Sequence, residues 1–197
     1  MSFAISLKAA NRTARFISDL WDKVARFESA PSMAALSYPP HITLAVYDDI
    51  HPDQLEAALT ASFAGVSALR LTFTRLRFFD DAPLVLWADP AYSPALADVH
   101  TRVHACIDPT LCHPYYRQGA WVPHCTLGTR IMEERRAEAV AFKAEPMAAF
   151  DVLFDTADCV SGGFRRSSQH GLFRSIVGSD QAPRQVFSIQ GSSGASR

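Results

Sequence analysis

The stretch PPHITLAVYDD, residues 39–49, places a histidine and a threonine two positions apart at the start of an apolar run. Its β-branched and aromatic residues predict a β-strand that begins at His41. In a strand, residues two apart project from the same face, so His41 and Thr43 point together while Ile42 points to the other face. A single His-x-Thr pattern is common by chance, so its meaning depends on a partner elsewhere in the chain.

The partner is VPHCTLGTR, residues 122–130, where Pro-His-x-Thr-Leu occurs a second time. At this composition the five-residue pattern is expected far less than once, so two copies are not a coincidence. His124 and Thr126 share one face of their strand, as His41 and Thr43 do in theirs. If the two strands are related by a pseudo-twofold axis, the two pairs can face each other across a central cleft.

The elements around the two motifs recur in one order. The first pass predicts a strand at 2–8, a helix over about 12–28, the histidine strand, a helix to about 64 and a long strand at 68–79, with a bulge near Thr74–Arg75. After a short strand at 83–89, the second pass predicts a helix over about 93–107, the strand from His124, a charged helix, an extended stretch at 148–161 and a strand at 170–178. This repetition predicts two similar lobes that arose by duplication.

The bulk composition excludes several classes of protein. Thirteen Phe and three Trp in 197 residues argue against disorder, and a net charge of −1 gives no positive field that would gather long nucleic acid. No apolar stretch resembles a signal sequence or a membrane span, so we expect a cytoplasmic protein with no membrane partner. The four cysteines form no CxxC pair and are expected to be free thiols, with Cys106 buried on a helix face.

Two histidines and two threonines in one cleft suit an in-line displacement at phosphorus. One imidazole can take a proton from the attacking water while the other protonates the departing oxygen, because both titrate near neutral pH. The threonine hydroxyls can donate to the non-bridging oxygens, whose charge must be stabilised in the transition state. The motif offers no carboxylate for a metal, so we expect neither a metal nor another cofactor.

With this paired motif the sequence resembles the two-histidine (2H) phosphoesterases, which include the 2′-5′ RNA ligase-like proteins and cyclic nucleotide phosphodiesterases. The resemblance covers residues 2–178. It implies an α+β fold of two lobes, with two antiparallel sheets flanking a central cleft and helices outside. It further implies His41 and His124 as acid and base, Thr43 and Thr126 as phosphate-oxygen donors, and a reaction that opens a 2′,3′-cyclic phosphate to a phosphomonoester.

Further residues are candidates for substrate binding. Tyr38 and Trp121 precede the two histidines and either stack on a base or pack the loops in which they lie. The resemblance places a basic residue shortly after the second motif, where this chain has Arg130. Arg165 and Arg166 lie in a glycine-containing loop that either contacts phosphate or is simply solvated. His100 and His104, with Asp108 four residues on, have a spacing that suits a metal, but their apolar helix favours a packing or solvated role.

These observations predict a single two-lobed domain over 1–180, with interleaved lobes centred on 41–79 and 124–177, and a C-terminal tail over 181–197. The expected partner is a small nucleotide or an RNA end that carries a cyclic phosphate, as in RNA processing; no DNA partner is expected. The sequence leaves the oligomeric state open, with a monomer favoured. Three alternatives stay open: an RNA ligase that runs the chemistry in reverse, a catalytically silent RNA- or nucleotide-binding protein of the same fold, and a metal-dependent hydrolase.

Overall fold

The computed structural model describes residues 2–162 and 185–188 of the chain. Within these residues it contains four α-helices, α1 to α4, and eight strands, β1 to β8. In chain order they are β1 Ser2–Lys8, α1 Arg15–Val24, β2 His41–Asp48, α2 Pro52–Phe63, β3 Leu69–Phe79, β4 Val85–Pro90, α3 Pro94–Cys106, β5 Cys125–Gly128, α4 Arg136–Ala144, β6 Phe150–Phe154, β7 Thr156–Gly162 and β8 Gln185–Ser188. None of the helices in this part of the chain is long and apolar enough to cross a lipid bilayer.

The strands form two antiparallel sheets of four strands each. The first has the order β2-β1-β7-β8 and the second the order β5-β4-β3-β6. Each motif strand therefore lies at the edge of its sheet, with His41 opening β2 and His124 directly preceding β5. Helix α1 packs against β5 and α3 packs against β2. The predicted α+β fold with two antiparallel sheets is confirmed.

The two sheets exchange strands between the two passes of the sequence. Strand β3, which follows His41 in the chain, pairs with β4 in the sheet of His124, whereas β7, which follows His124, pairs with β1 in the sheet of His41. Strand β8 pairs with β7 although it falls within the segment predicted as a tail. Antiparallel pairing uses backbone groups of distant segments, so local side-chain patterns do not reveal which strands pair. The strand predicted at 170–178 lies outside the described residues.

A β-bulge follows the threonine in both motif strands. Ser6 pairs with Thr43 while Ile5 pairs with Ala45, which leaves Leu44 as the extra residue. In the second sheet Trp87 pairs with Thr126 while Leu86 pairs with Gly128, which leaves Leu127 as the extra residue. Both leucines are fully buried. The bulge therefore interrupts the alternation of faces directly after each threonine, and the extra residue packs into the core.

The structure also tests two smaller predictions, one about a bulge in β3 and one about Cys106. The bulge predicted near Thr74–Arg75 is confirmed, because the β3–β4 register shifts between Phe73 and Arg75. The prediction that Cys106 is buried is wrong, since this free thiol is exposed. The physical reason is that Val103 and Ile107 occupy the buried face at the end of α3, and Cys106 lies between them on the other side.

Candidate active site

The backbone holds His41 and His124 in the same way. Nδ1 of His41 lies 3.0 Å from the carbonyl oxygen of Pro39, and Nδ1 of His124 lies 2.7 Å from that of Val122. A carbonyl oxygen only accepts, so each Nδ1 carries the proton and donates it. Nε2 is therefore the basic nitrogen of each neutral ring, and the two motifs present the same tautomer.

Three contacts bring the two motif strands together at the centre of the molecule. Strands β2 and β5 pack directly against each other. The indole of Trp121, which precedes β5, donates to the carbonyl oxygen of Thr43 at 3.0 Å. The charge of His41 also lowers the pKa of His124, so the two imidazoles interact electrostatically. The structure thus brings the two motif strands, about eighty residues apart in sequence, into contact and the two imidazoles close enough to interact.

Each motif threonine has its carbonyl oxygen bound by a tryptophan. Trp21 of α1 donates from Nε1 to the carbonyl oxygen of Thr126 at 3.0 Å, which matches the Trp121 contact to Thr43. Both carbonyls lie just before a bulge, where the regular ladder is interrupted and an acceptor needs another donor. The indoles therefore hold the motif strands at the residue that carries the hydroxyl.

The two threonine side chains are buried on the polar faces of their sheets. Thr43 and Thr126 are each only 7% exposed. The hydroxyl of Thr43 lies 3.3 Å from that of Ser6, directly across the β1–β2 pair. Thr126 lies opposite Trp87 in the β4–β5 pair. Buried hydroxyls that are positioned by strands can donate to a phosphate oxygen with little reorganisation.

Burial determines the charge of both imidazoles in the absence of substrate. It lowers the pKa of His124 to about 4; the hydrogen bond to Val122 opposes this shift, and the charge of His41 adds to it. Burial also lowers the pKa of His41, where the Pro39 carbonyl and Asp158 act to raise it and Lys8 acts to lower it. Both rings are therefore neutral at pH 7, and a bound phosphate anion would favour protonation of one of them.

A buried ion pair that the sequence analysis missed lies beside His41. Lys8 Nζ is 2.6 Å from Asp158 Oδ2, and both side chains are almost fully buried. The hydroxyl of Tyr38 donates to the same carboxylate, and the Tyr38 ring contacts His41 edge-on at 4.9 Å between centroids. Tyr38 is thus held against His41 by a fixed network. Lys8 lies opposite His41 in the β1–β2 register. Only the pairing of these two strands identifies it as a neighbour of the site.

An aromatic cavity of about 290 Å³ opens beside His124. Its lining is Phe78, Phe79, Asp80, Asp81, Tyr115, Tyr116, Ala120, Trp121, Val122 and His124. Phe79 contacts the His124 ring edge-on at 5.1 Å. Trp121 stacks on His100 at 4.0 Å, so it both packs its loop and forms part of the cavity wall. The volume and the mostly apolar lining suit a flat aromatic ligand.

Of the three predicted binding arginines, the structure describes only Arg130. Arg130 is exposed, and its backbone N–H donates to the Glu28 carboxylate at 3.0 Å. Its side chain makes no hydrogen bond or ion pair with the part of the chain that the structure describes. Arg165 and Arg166 lie outside the described residues.

His100 and His104 pack in the interior, where their ring nitrogens contact each other and the backbone. Nε2 of His100 lies 2.9 Å from the carbonyl oxygen of Tyr116, and Nε2 of His104 lies 3.1 Å from the same ring nitrogen. Asp108, the third residue of the predicted spacing, instead caps the backbone N–H of Thr110. Within residues 2–162 and 185–188, no three His, Cys, Asp or Glu side chains converge to hold a metal.

Comparisons with solved structures give the same architecture over nearly the whole chain. TT0787 of Thermus thermophilus aligns with a TM-score of 0.59 at 13% identity, covering 98% of this chain and 100% of its own. LigT of E. coli aligns with a TM-score of 0.56 at 14% identity, covering 95% of this chain and 94% of its own. A comparison with curated protein sequences gave no match.

The family comparison agrees with the paired motif and the fold. The model of the 2′-5′ RNA ligase superfamily matches residues 14–157, which include both histidine motifs. The chain belongs to the 2′-5′ RNA ligase superfamily, a group of two-histidine phosphoesterases.

Proposed function

We propose that this protein is a phosphodiesterase that hydrolyses a 2′,3′-cyclic phosphate, on a nucleotide, an ADP-ribose derivative or an RNA end, to a phosphomonoester. The observation that carries the proposal is the matched anchoring of the two imidazoles, each with Nδ1 on a backbone carbonyl and Nε2 as its basic nitrogen. Two equivalent proton-transfer groups at one centre are what an in-line displacement needs.

In the proposed mechanism the two histidines act in opposite protonation states. Substrate binds with its non-bridging oxygens at the Thr43 and Thr126 hydroxyls, and the phosphate charge favours protonation of one imidazole. The neutral imidazole removes a proton from water as the water oxygen bonds to phosphorus. The bond from phosphorus to one ribose oxygen breaks, and the protonated imidazole supplies that oxygen with its proton. The ring opens to one phosphomonoester and one free hydroxyl, and the two histidines have exchanged roles.

The aromatic cavity supports a nucleotide as the substrate. Its wall of Phe79, Tyr115 and Trp121 can stack on a base while the phosphate lies at His124. The E. coli LigT structure, which shares this fold, is a complex with 3′-AMP, a nucleoside phosphomonoester. We further propose a cytoplasmic monomer, with the four free thiols consistent with a reducing compartment.

A ligase activity is the second candidate function, because the matching family is described as a 2′-5′ RNA ligase superfamily. Joining RNA ends uses the same acid and base in the reverse direction, so it requires no other residues. An assay with RNA bearing a 2′,3′-cyclic end and a 5′-hydroxyl end separates the two activities, because only a ligase lengthens the RNA.

The test is hydrolysis of the four nucleoside 2′,3′-cyclic monophosphates in EDTA. We expect wild type to turn over, and His41→Ala and His124→Ala each to lower kcat by at least ~100-fold, since each removes an acid or a base. His51→Ala is the matched control, because this imidazole is 72% exposed and precedes α2 at the surface. Activity that survives either motif substitution would overturn the mechanism. Binding by wild type without turnover would favour the silent nucleotide-binding alternative, and loss of activity in EDTA the metal-dependent one.

A further inference from the structure

Two arginines of β3 lie on the same face of the second sheet as the motif threonine. Arg77 pairs with Trp87 across β3–β4, and Trp87 pairs with Thr126 across β4–β5. Residues directly opposite each other in a sheet project from the same face. Arg75, two residues before Arg77, shares that face and pairs with Asp89. The bulge between Phe73 and Arg75 produces this arrangement, because it shifts the alternation of β3.

The Arg77 guanidinium and His124 contact the same indole. The guanidinium carbon of Arg77 lies 5.4 Å from the Trp87 ring centroid, and the Trp87 and His124 rings are 5.7 Å apart. The Trp87 indole therefore contacts both Arg77 and the candidate catalytic His124. The pairing geometry gives about two strand spacings, or ~10 Å, between the backbones of Arg77 and Thr126.

The positive charge of these arginines is not balanced locally. Arg75 Nε is 2.6 Å from Asp89 Oδ2 and Arg77 Nη1 is 3.7 Å from the same oxygen, so one carboxylate faces two guanidinium groups. The arginine side chains are 67% and 54% exposed, whereas Asp89 is 11% exposed. In the first sheet the corresponding charges are balanced and buried, with one Lys8 ammonium against one Asp158 carboxylate. The cluster of Arg75, Arg77 and Asp89 thus has one excess positive charge on the sheet face that it shares with Thr126.

We propose that Arg75 and Arg77 form a subsite for a second phosphate, covalently linked to the substrate beyond the cyclic phosphate. The inference rests on the proposed function and deepens it, because it makes the preferred substrate larger than a mononucleotide. Asp89 orients the two arginines through its ion pairs with them. Their exposed guanidinium nitrogens donate paired hydrogen bonds to the phosphate oxygens. The second phosphate is either the next phosphodiester of an RNA end or the pyrophosphate of an ADP-ribose-type nucleotide.

The test compares a substrate that carries only the cyclic phosphate with two substrates that carry further phosphate groups. Wild type is assayed on adenosine 2′,3′-cyclic phosphate, on a diadenylate with a 2′,3′-cyclic end, and on ADP-ribose with a 2″,3″-cyclic phosphate. We expect a higher kcat/KM for at least one of the two larger substrates, and the preferred one identifies the source of the second phosphate. In the double variant Arg75→Gln with Arg77→Gln, this preference is expected to fall by about 10–100-fold, the loss of charge-assisted hydrogen bonds.

Salt and a matched arginine provide two further checks. The slope of log kcat/KM against log salt is expected to be steeper for the larger substrate and to become shallower by about one for each arginine removed. Arg70→Gln is the control, since Arg70 is an exposed residue of the same strand that pairs with Asp151 at 3.9 Å. It should leave the substrate preference of wild type unchanged. An unaltered preference in the double variant, or an equal loss in Arg70→Gln, would contradict the subsite.

A binding measurement separates failure of this proposal from failure of the proposed function. If wild type hydrolyses none of the substrates, calorimetry with 3′-AMP, with diadenylate 3′-phosphate and with ADP-ribose 2″-phosphate still measures the subsite. Tighter binding of either larger ligand than of 3′-AMP, lost in the double variant, would support the subsite without catalysis. Equal affinity of wild type for 3′-AMP and for both larger ligands would overturn it.

Discussion

At the scale of single residues, the charges beside His41 distinguish the two imidazoles. Burial lowers the pKa of both rings, but only His41 also responds to an ion pair, with Asp158 raising its pKa and Lys8 lowering it. The environment of His41 can therefore be altered in either direction by changing one charge at a time.

We predict that Asp158→Asn lowers the pKa of His41 further and that Lys8→Met raises it, because each removes one of two opposing charges. Imidazole NMR titration of His41 measures both directions. Asp151→Asn serves as the control, since this carboxylate is 44% exposed and pairs with Arg70 from β6. If Asp158→Asn and Lys8→Met shift the pKa of His41 in the same direction, repacking and not charge determines it.

At the scale of elements, a buried carboxylate holds the end of β5. Glu28 accepts hydrogen bonds from the backbone N–H groups of Ser32, Thr129 and Arg130 and from the Ser32 hydroxyl. The fit is tight, because a Cβ on Gly128 would lie 3.0 Å from the Glu28 carboxyl carbon. The same Cβ would lie 2.7 Å from Cγ1 of Val24, so the end of the strand that carries Thr126 is closely packed on both sides.

We predict that Glu28→Gln lowers the free energy of unfolding by about 2 kcal/mol, because an amide replaces one accepting oxygen by a donor that faces other donors. Urea unfolding measures the loss. Glu134→Gln makes the same chemical change at an exposed position and should have an effect within about 0.5 kcal/mol. Equal effects of the two substitutions would contradict the role of Glu28.

At the scale of the whole molecule, buried neutral histidines link stability to pH. Burial lowers the pKa of His41, His100, His104 and His124 from the ordinary value of 6.5, to about 4 for His100 and His124. Above pH 6.5 these rings are neutral in both states and have no effect. As the pH falls below that value, only the unfolded chain takes up the protons, so stability is lost until the folded rings also titrate.

We predict that the free energy of unfolding falls as the pH decreases from 6.5 towards 4, with a slope of about 1.4 kcal/mol per pH unit from each histidine that only the unfolded state protonates. His100→Gln should reduce this slope by one such contribution. Urea unfolding at a series of pH values measures it, with the exposed His51→Gln as the control that leaves the slope unchanged. A slope that His100→Gln does not change would show that other groups cause the acid sensitivity.

Much of the fold and of the candidate site could be predicted from local patterns. The alternation of residues in the two Pro-His-x-Thr-Leu stretches predicted two strands, each with histidine and threonine on one face. The slipped alternation of β3 predicted its bulge. Such features depend on neighbours within a few residues, and the period of the side chains records them directly.

Strand pairing across long separations could not be predicted in this way. The exchange of β3 and β7 between the sheets, and the placement of Lys8 opposite His41, depend on backbone hydrogen bonds between segments far apart in the chain. Those bonds are made by groups that every residue carries, so the sequence does not mark them.

The sequence by itself determined the two motifs, the tendency of each to form a strand, and the family to which they belong. The tertiary structure alone decided that β2 and β5 meet at one centre, that Asp158 and Lys8 lie beside one histidine only, and that Arg75 and Arg77 share a face with Thr126. The physical reason is that side-chain periodicity is a local property, whereas charge and proximity at a site arise only when distant strands pair.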